Sequence, residues 1–449
     1  MIKGIHDLTM HQFANELNSV ASHSAPIDQV NHLKGRSEQV GIVRQAIYTK
    51  GQHVFIFGER GVGKTSLAKT AGLATIEHEN FKQFGCNSQS TFDSIIRPVV
   101  EAFAPKKLAE IQKKSGLGIN HIFTAGASKQ ETYAAQARLD VSWTADVLAS
   151  LDNDLKNTIR VVVIDEVDRI QSKDALRDLA ELVKLLGDRG ALITFIFTGV
   201  GADLDEILGA HQSSFRQFAQ VKLERIAFQA ALDIIDDVLE RFGLKWDQEP
   251  TRTARFRVAS IANGFPYYVH LVVAKLLYAI YDDKAAEEST LDHLRSAITA
   301  AVAGAQEEIR KPYDRAIRGR NDTYKHAVWA TADSWDLERT TSHIYASYQG
   351  LCERLDTNPI DQKRLVQRLN TLKRDTHGPL LTKAFRAGQY KFCENIIRGY
   401  VRLCASAEGI ELQDLSPQDT TTVAHSTIRH QRYIDPRTLG GRPATLSRG

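Results

Sequence analysis

Three glycines, a lysine and a hydroxyl stand close together in Gly58-Glu59-Arg60-Gly61-Val62-Gly63-Lys64-Thr65. The spacing is G-x-x-x-x-G-K-[ST], that of a loop built to hold phosphate. Glycines let backbone N–H groups curl around an oxyanion with no Cβ in the way. A helix starting at the loop's end adds partial positive charge at the same point. Lys64 is placed to reach the β- and γ-phosphates, and the Thr65 hydroxyl to ligate Mg²⁺. Glu59, Arg60, Val62 and the following Ser66 complete the predicted cradle.

A second cluster lies about a hundred residues on. Asp165-Glu166 follows the apolar run Val161-Val162-Val163-Ile164. Carboxylates at a strand end sit at the carboxyl edge of a parallel sheet, where a phosphate loop also lies. Asp165 is expected to hold Mg²⁺ through water, and Glu166 to polarise an attacking water as general base. Asp168 and Arg169 follow, open to the same site or to solvent. Thr198, at the tip of the next apolar run, is placed to touch the γ-phosphate or orient the water, or else is a turn hydroxyl. Arg216 is open to two readings: an arginine that reaches a neighbouring subunit's nucleotide, or a plain surface residue.

The elements needed to position these groups are legible around them. His53 to Phe57 reads as a strand entering the glycine loop, and Ser66 to Ala71 as the helix leaving it. A strand ending near Phe84-Gly85-Cys86-Asn87 and strands at Arg160–Ile164, Ala191–Phe197 and Gln220–Leu223 alternate with helices at Thr91–Phe103, Ala137–Asp152 and Lys173–Asp188. Apolar strands alternating with helices predict a parallel α/β sheet. Residues 104–135 read as an irregular insertion. After Glu224 the pattern is helical, with helices expected at 228–242, 252–262, 266–281 and 288–310.

Composition limits the rest. At 449 residues, two or three domains are expected. With 43% hydrophobic and 25% charged residues, the chain reads as a folded globular protein. It has no apolar run long enough to span a membrane and no signal-peptide pattern at its start. Cys86, Cys352, Cys393 and Cys404 are scattered and read as reduced core thiols of a cytoplasmic protein. Net charge is +3, yet Lys311–Cys404 holds six Lys and eleven Arg against seven Asp and three Glu, or 17 − 10 = +7. That asymmetry points to a polyanionic partner for the C-terminal part.

That part has its own order. Helices at Thr323–Ala332, Thr340–Leu355 and Asp361–Arg374 precede a hairpin through Leu380–Thr382 and Tyr390–Phe392, which is winged-helix order. In the third helix Leu365, Leu369 and Leu372 share one face. Lys363, Arg364, Gln367, Arg368, Asn370 and Arg374 fall on or beside the other, where double-stranded DNA or a protein would be met. The tail from Glu408 loses periodicity and is expected to be flexible; its arginines offer non-specific phosphate affinity.

Together these features resemble the AAA+ ATPases over roughly 33–310: a Gly35-Arg36-x-Glu38 box, Walker A at 58–65, Walker B at 161–166, a sensor-like Thr198, a finger-like Arg216 and a helical lid. Within that group the chain is similar to origin-recognition initiators and archaeal-type ATPases that carry a C-terminal winged helix. The resemblance implies ATP and Mg²⁺ as ligands, adenine near Gly35 and Arg36, and a lid closing over the nucleotide. It departs at the lid, where Asn263-Gly264-Phe265-Pro266 replaces the usual sensor arginine. The Gly-x-Pro element is similar to STAND-type signalling ATPases, which adds Pro266 to the expected nucleotide contacts and points to slow, switch-like turnover.

The expected layout is therefore an arm at 1–32, an α/β P-loop parallel-sheet core at 33–225, a helical lid at 226–310, a winged helix at 311–407 and a tail at 408–449. The expected function is an ATP-dependent switch engaging DNA. The alternatives are a STAND-like scaffold for a partner effector protein, as in bacterial conflict or phage defence, and a transposition-type ATPase loaded on DNA. Homo-oligomerisation is a further expectation.

Overall fold

The computed structural model describes residues 2, 4–21, 32–114, 138–154, 158–201, 216–384, 386 and 388–412. Its centre is a five-stranded parallel sheet made of β1 (His53–Gly58), β2 (Phe81–Gly85), β3 (Arg160–Asp165), β4 (Ile193–Gly199) and β5 (Phe218–Leu223), in the order β2-β3-β4-β1-β5. Every residue of β1, β3 and β4 is buried, as expected for strands covered on both faces. Alternation sorts their side chains into two layers. Val54, Ile56, Val161 and Val163 join the core that includes the helices Ser37–Tyr48 and Lys64–Leu73. Phe55, Phe57, Val162 and Ile164 face the helices Phe92–Phe103, Val141–Asp154 and Lys173–Asp188.

The order of the strands positions the site. β3, β4 and β1 are neighbours, and the register sets Ile56 beside Thr198 and Ile164 beside Phe197. The residues that leave the carboxyl ends of these three strands must therefore meet within two strand spacings, about 10 Å.

Helices Phe228–Arg241, Thr251–Ala262, Pro266–Asp282 and Leu291–Gly304 form the lid. The N-terminal helix Met10–Val20 docks on it, with Phe13 packed against Phe242, Tyr278 and Tyr281. The C-terminal unit runs helix Asp322–Ala332, strand β6 (Arg339–Thr340), helices Thr341–Arg354 and Gln362–Thr371, strands β7 (Leu381–Lys383) and β8 (Gln389–Phe392), and helix Asn395–Ala407. Its sheet is antiparallel in the order β6-β8-β7.

Some expectations change. Pro105–Lys114 is helical, so the insertion starts as structure; 115–137 lie outside the described residues. The helix expected over 288–310 is two, Leu291–Gly304 and Glu307–Ile317, broken where Ala305 turns extended. The second runs through 310/311, so no boundary falls there. Residues 408–412 fold back, with Leu412 buried and its carbonyl accepting from Arg402 (3.1 Å). The rest of the expected tail, 413–449, lies outside the described residues, as do the tail arginines.

Candidate functional site

The glycine loop keeps the conformation its glycines permit. Gly63 caps the helix Lys64–Leu73 at φ 96°, which points the helix start into the loop. At Gly58 a Cβ would lie 2.2 Å from the Leu223 carbonyl oxygen, so only glycine passes between β1 and β5. Lys64 Nζ donates to the carbonyls of Gly58 (3.1 Å) and Glu59 (2.8 Å). Burial pulls its pKa down to about 8 against the opposing pull of Asp168, Asp165 and Glu166. An ammonium in this setting gains by meeting phosphate oxygens.

Asp165 and Thr65, a hundred positions apart, are joined: Thr65 Oγ1 donates to Asp165 Oδ1 at 3.1 Å. Thr198 Oγ1 also donates to Asp165 Oδ1. The Glu166 N–H bonds both Asp165 Oδ1 (3.1 Å) and Thr198 Oγ1 (3.2 Å). Glu166 is left-handed at φ 58°, and its carboxylate pairs with Arg169 at 3.0 Å. Burial raises the Glu166 pKa, with Arg169 opposing. The hydroxyl and carboxylate of Thr65 and Asp165 form a hard oxygen pair, which suits Mg²⁺ keeping most of its waters. Among the described residues no cluster of three or more His, Cys, Asp or Glu offers an all-protein metal site.

These groups line one cleft of about 760 Å³, large enough for a nucleotide. Residues 59–66, Asp165, Glu166, Thr198, Arg36 and Pro266 all border it. Arg36 does so as a strut, since its guanidinium donates to the carbonyls of Val62 (3.1 Å) and Glu224. Burial lowers its pKa to about 10.

Three expected residues stand apart from the cleft wall. Gly35 makes a φ +68° turn against Ala230, and Gly58 is buried behind the loop. Arg216 is exposed two residues ahead of β5, at the amino edge of the sheet. The glycine loop leaves the opposite edge, about 20 Å away at the rise of a strand residue. Arg216 therefore takes no part in its own chain's site.

The cleft also has walls that sequence reasoning missed. His270, one helical turn after Pro266, was within reach of a spacing argument; Tyr267 and Gln306 border it too. The segment 391–396 of the C-terminal unit had no local signal. Asn395 Nδ2 donates to Glu59 Oε1 at 2.6 Å, Glu394 lies 3.9 Å from Arg60, and Ile396 covers Gly61.

The basic helix is less available than its sequence suggested. Lys363, Arg364, Gln367 and Arg374 are exposed, Arg374 beyond the helix end. Arg368 is instead spread over Tyr324 at 4.7 Å and bonds its hydroxyl at 3.1 Å. Arg339, Arg398 and Arg402 are buried, at 7%, 0% and 2% exposure, and donate to backbone carbonyls of 330–336. Part of the basic excess thus lies inside.

Fold and site together define a P-loop nucleotide-binding protein. Residues 47–208 match the family described as the AAA domain. No curated protein matches the chain. Among solved structures it is similar to a Walker-type ATPase of Pyrococcus abyssi, at 14% identity and TM-score 0.49, over 84% of this chain and 99% of that one. It is also similar to Cdc6p of Pyrobaculum aerophilum, at 15% identity and TM-score 0.41, over 86% and 97%. A third is the ORC2 protein of Aeropyrum pernix in ADPNP-ADP complexes, at 13% identity and TM-score 0.43, over 86% and 98%. No helix among the described residues is long and apolar enough to cross a membrane.

Proposed function

We propose that the protein is an ATP hydrolase working as a switch, which engages double-stranded DNA through a C-terminal winged helix. One observation carries the reading: Lys64, Thr65, Asp165, Glu166 and Thr198, from three neighbouring strand ends, share a single nucleotide-sized cleft. Lys64 and the loop N–H groups bind the phosphates. Thr65 and Asp165 would hold Mg²⁺, which would supply charge neutralisation at the phosphates. Glu166 and Thr198 orient the attacking water.

Coupling to the C-terminal unit is supported by the match of residues 59–61 with 394–396: a phosphate loop that moves on binding moves that unit too. DNA engagement is supported by the helix, strand, helix, helix, hairpin order and by the exposed Lys363, Arg364, Gln367 and Arg374. Initiators named for origin recognition are among the similar structures, and "Structure of Drosophila ORC bound to DNA" is one of them.

Lys64→Ala should lose nucleotide binding, while Glu166→Gln should bind ATP without turnover, both read by filter binding and phosphate release. Wild-type hydrolysis by both variants would refute the assignment. The buried Arg339, Arg398 and Arg402 favour a second reading, a scaffold whose winged helix meets a partner protein. Titration with duplex DNA separates the two: DNA engagement predicts affinity falling steeply between 50 and 200 mM salt by counterion release. Affinity that is absent or insensitive to salt supports the scaffold.

A further inference from the structure

Arg216 stands at the far edge of its own chain's sheet and the lid's Gly-x-Pro element has no arginine, so a cation supplied within the chain for the charge that develops on a transferring phosphoryl group must come from elsewhere on the cleft wall. Six Lys and Arg among the described residues border the cleft. Lys34 is held by Asp237 at 2.6 Å. Arg36 is fastened to two backbone carbonyls, and Arg60 pairs with Glu308 and Glu394. Lys391 faces Glu338 at 3.5 Å, and Lys64 is the phosphate-loop lysine itself. Arg169 differs: the partner the structure gives it is the proposed general base, Glu166.

We propose that Arg169 is a catalytic cation acting within its own chain, exchanging the Glu166 carboxylate for the terminal phosphate of bound ATP. The inference rests on the ATP-hydrolase reading above. Arg169 ends a single helical turn, Val167–Arg169, directly after β3, so its backbone is anchored to the strand that delivers Asp165. The Glu166 N–H is tied to Asp165 and Thr198, which fixes where the pair stands. A base that orients the attacking water stands one water away from the terminal phosphate, so a guanidinium 3.0 Å from that base needs only a side-chain swing to reach it. Both side chains are about half exposed, at 50% and 45%, so the pair is weak and readily exchanged. The planar fork that donates to a carboxylate donates equally well to phosphate oxygens.

The exchange serves both partners. Glu166 is released to take a proton from the water as the water oxygen bonds to the γ-phosphorus. The bond from that phosphorus to the β–γ bridging oxygen breaks, and ADP leaves with the electron pair. Arg169 keeps its proton throughout and stabilises the charge spread over the equatorial oxygens.

The test compares wild type with Arg169→Ala, Arg169→Gln and Arg169→Lys in the full chain. The readouts are Mg·ATP affinity, turnover, and trapping of Mg·ADP with aluminium fluoride, a mimic of the transferring group, by a fluorescent nucleotide. We expect turnover of the Ala and Gln variants to fall about 100-fold, ATP affinity to change less than about threefold, and trapping to be lost. Arg169→Lys should recover part of each. Turnover within about threefold of wild type, with trapping retained, overturns the proposal; so does an equal loss of affinity and turnover. Lys64→Ala is run alongside. If it binds and hydrolyses like wild type, the ATP-hydrolase reading itself fails, an outcome distinct from failure of Arg169.

Discussion

At the scale of single residues, the chain puts strongly interacting groups where only one arrangement satisfies them. His53, fully buried at the start of β1 between Phe195 and Phe218, accepts the Phe195 N–H at Nδ1 (3.0 Å). That bond requires a neutral ring, and burial lowers the pKa to about 3 from the ordinary 6.5. The unfolded chain therefore takes up this proton first. Stability from this group is complete above pH 6.5 and is lost as pH falls toward 3, by at most about 1.4 kcal/mol per pH unit. Urea unfolding between pH 7.5 and 5 should show this slope in wild type, and a flatter one in His53→Gln. Equal slopes would mean that the imidazole is not the group that titrates. Glu166, Asp165 and Thr198 show the same economy, since one carboxylate oxygen gathers two hydroxyls and a backbone N–H.

At the scale of elements, much was readable before the structure. Apolar runs marked β1, β3 and β4 because strands covered on both faces tolerate few polar groups. The glycine loop and the Asp165-Glu166 pair were readable because their chemistry is local: a few consecutive residues carry it. The helix Pro105–Lys114 was hidden by its composition, with Leu108 buried amid lysines and a proline that suits a first turn. The break at Ala305 was hidden because apolar spacing runs on across it. Arg216, exposed at the amino edge of the sheet, is left with the two readings its sequence allowed, a residue that reaches a neighbouring subunit or a plain surface arginine. The basic excess of the C-terminal unit misled, since a charge count does not distinguish surface arginines from those that tie carbonyls inside.

At the scale of the whole molecule, the sheet, lid and C-terminal unit meet at one cleft. The contact of Asn395 with Glu59 joins residues 336 positions apart, and no local pattern could have announced it. It gives the phosphate loop a mechanical partner, with Tyr268 of the lid bonding the Ile396 carbonyl (2.7 Å) as the third member. Everything proposed depends on Lys64 and Asp165 serving one magnesium-bound triphosphate. Calorimetric titration of ATP with and without Mg²⁺, in wild type, Lys64→Ala and Asp165→Asn, tests this directly. The prediction is that Mg²⁺ tightens binding at least about tenfold in wild type, that Asp165→Asn loses this gain while keeping metal-free binding, and that Lys64→Ala loses both. An Asp165→Asn variant that keeps the full Mg²⁺ effect would contradict a shared site.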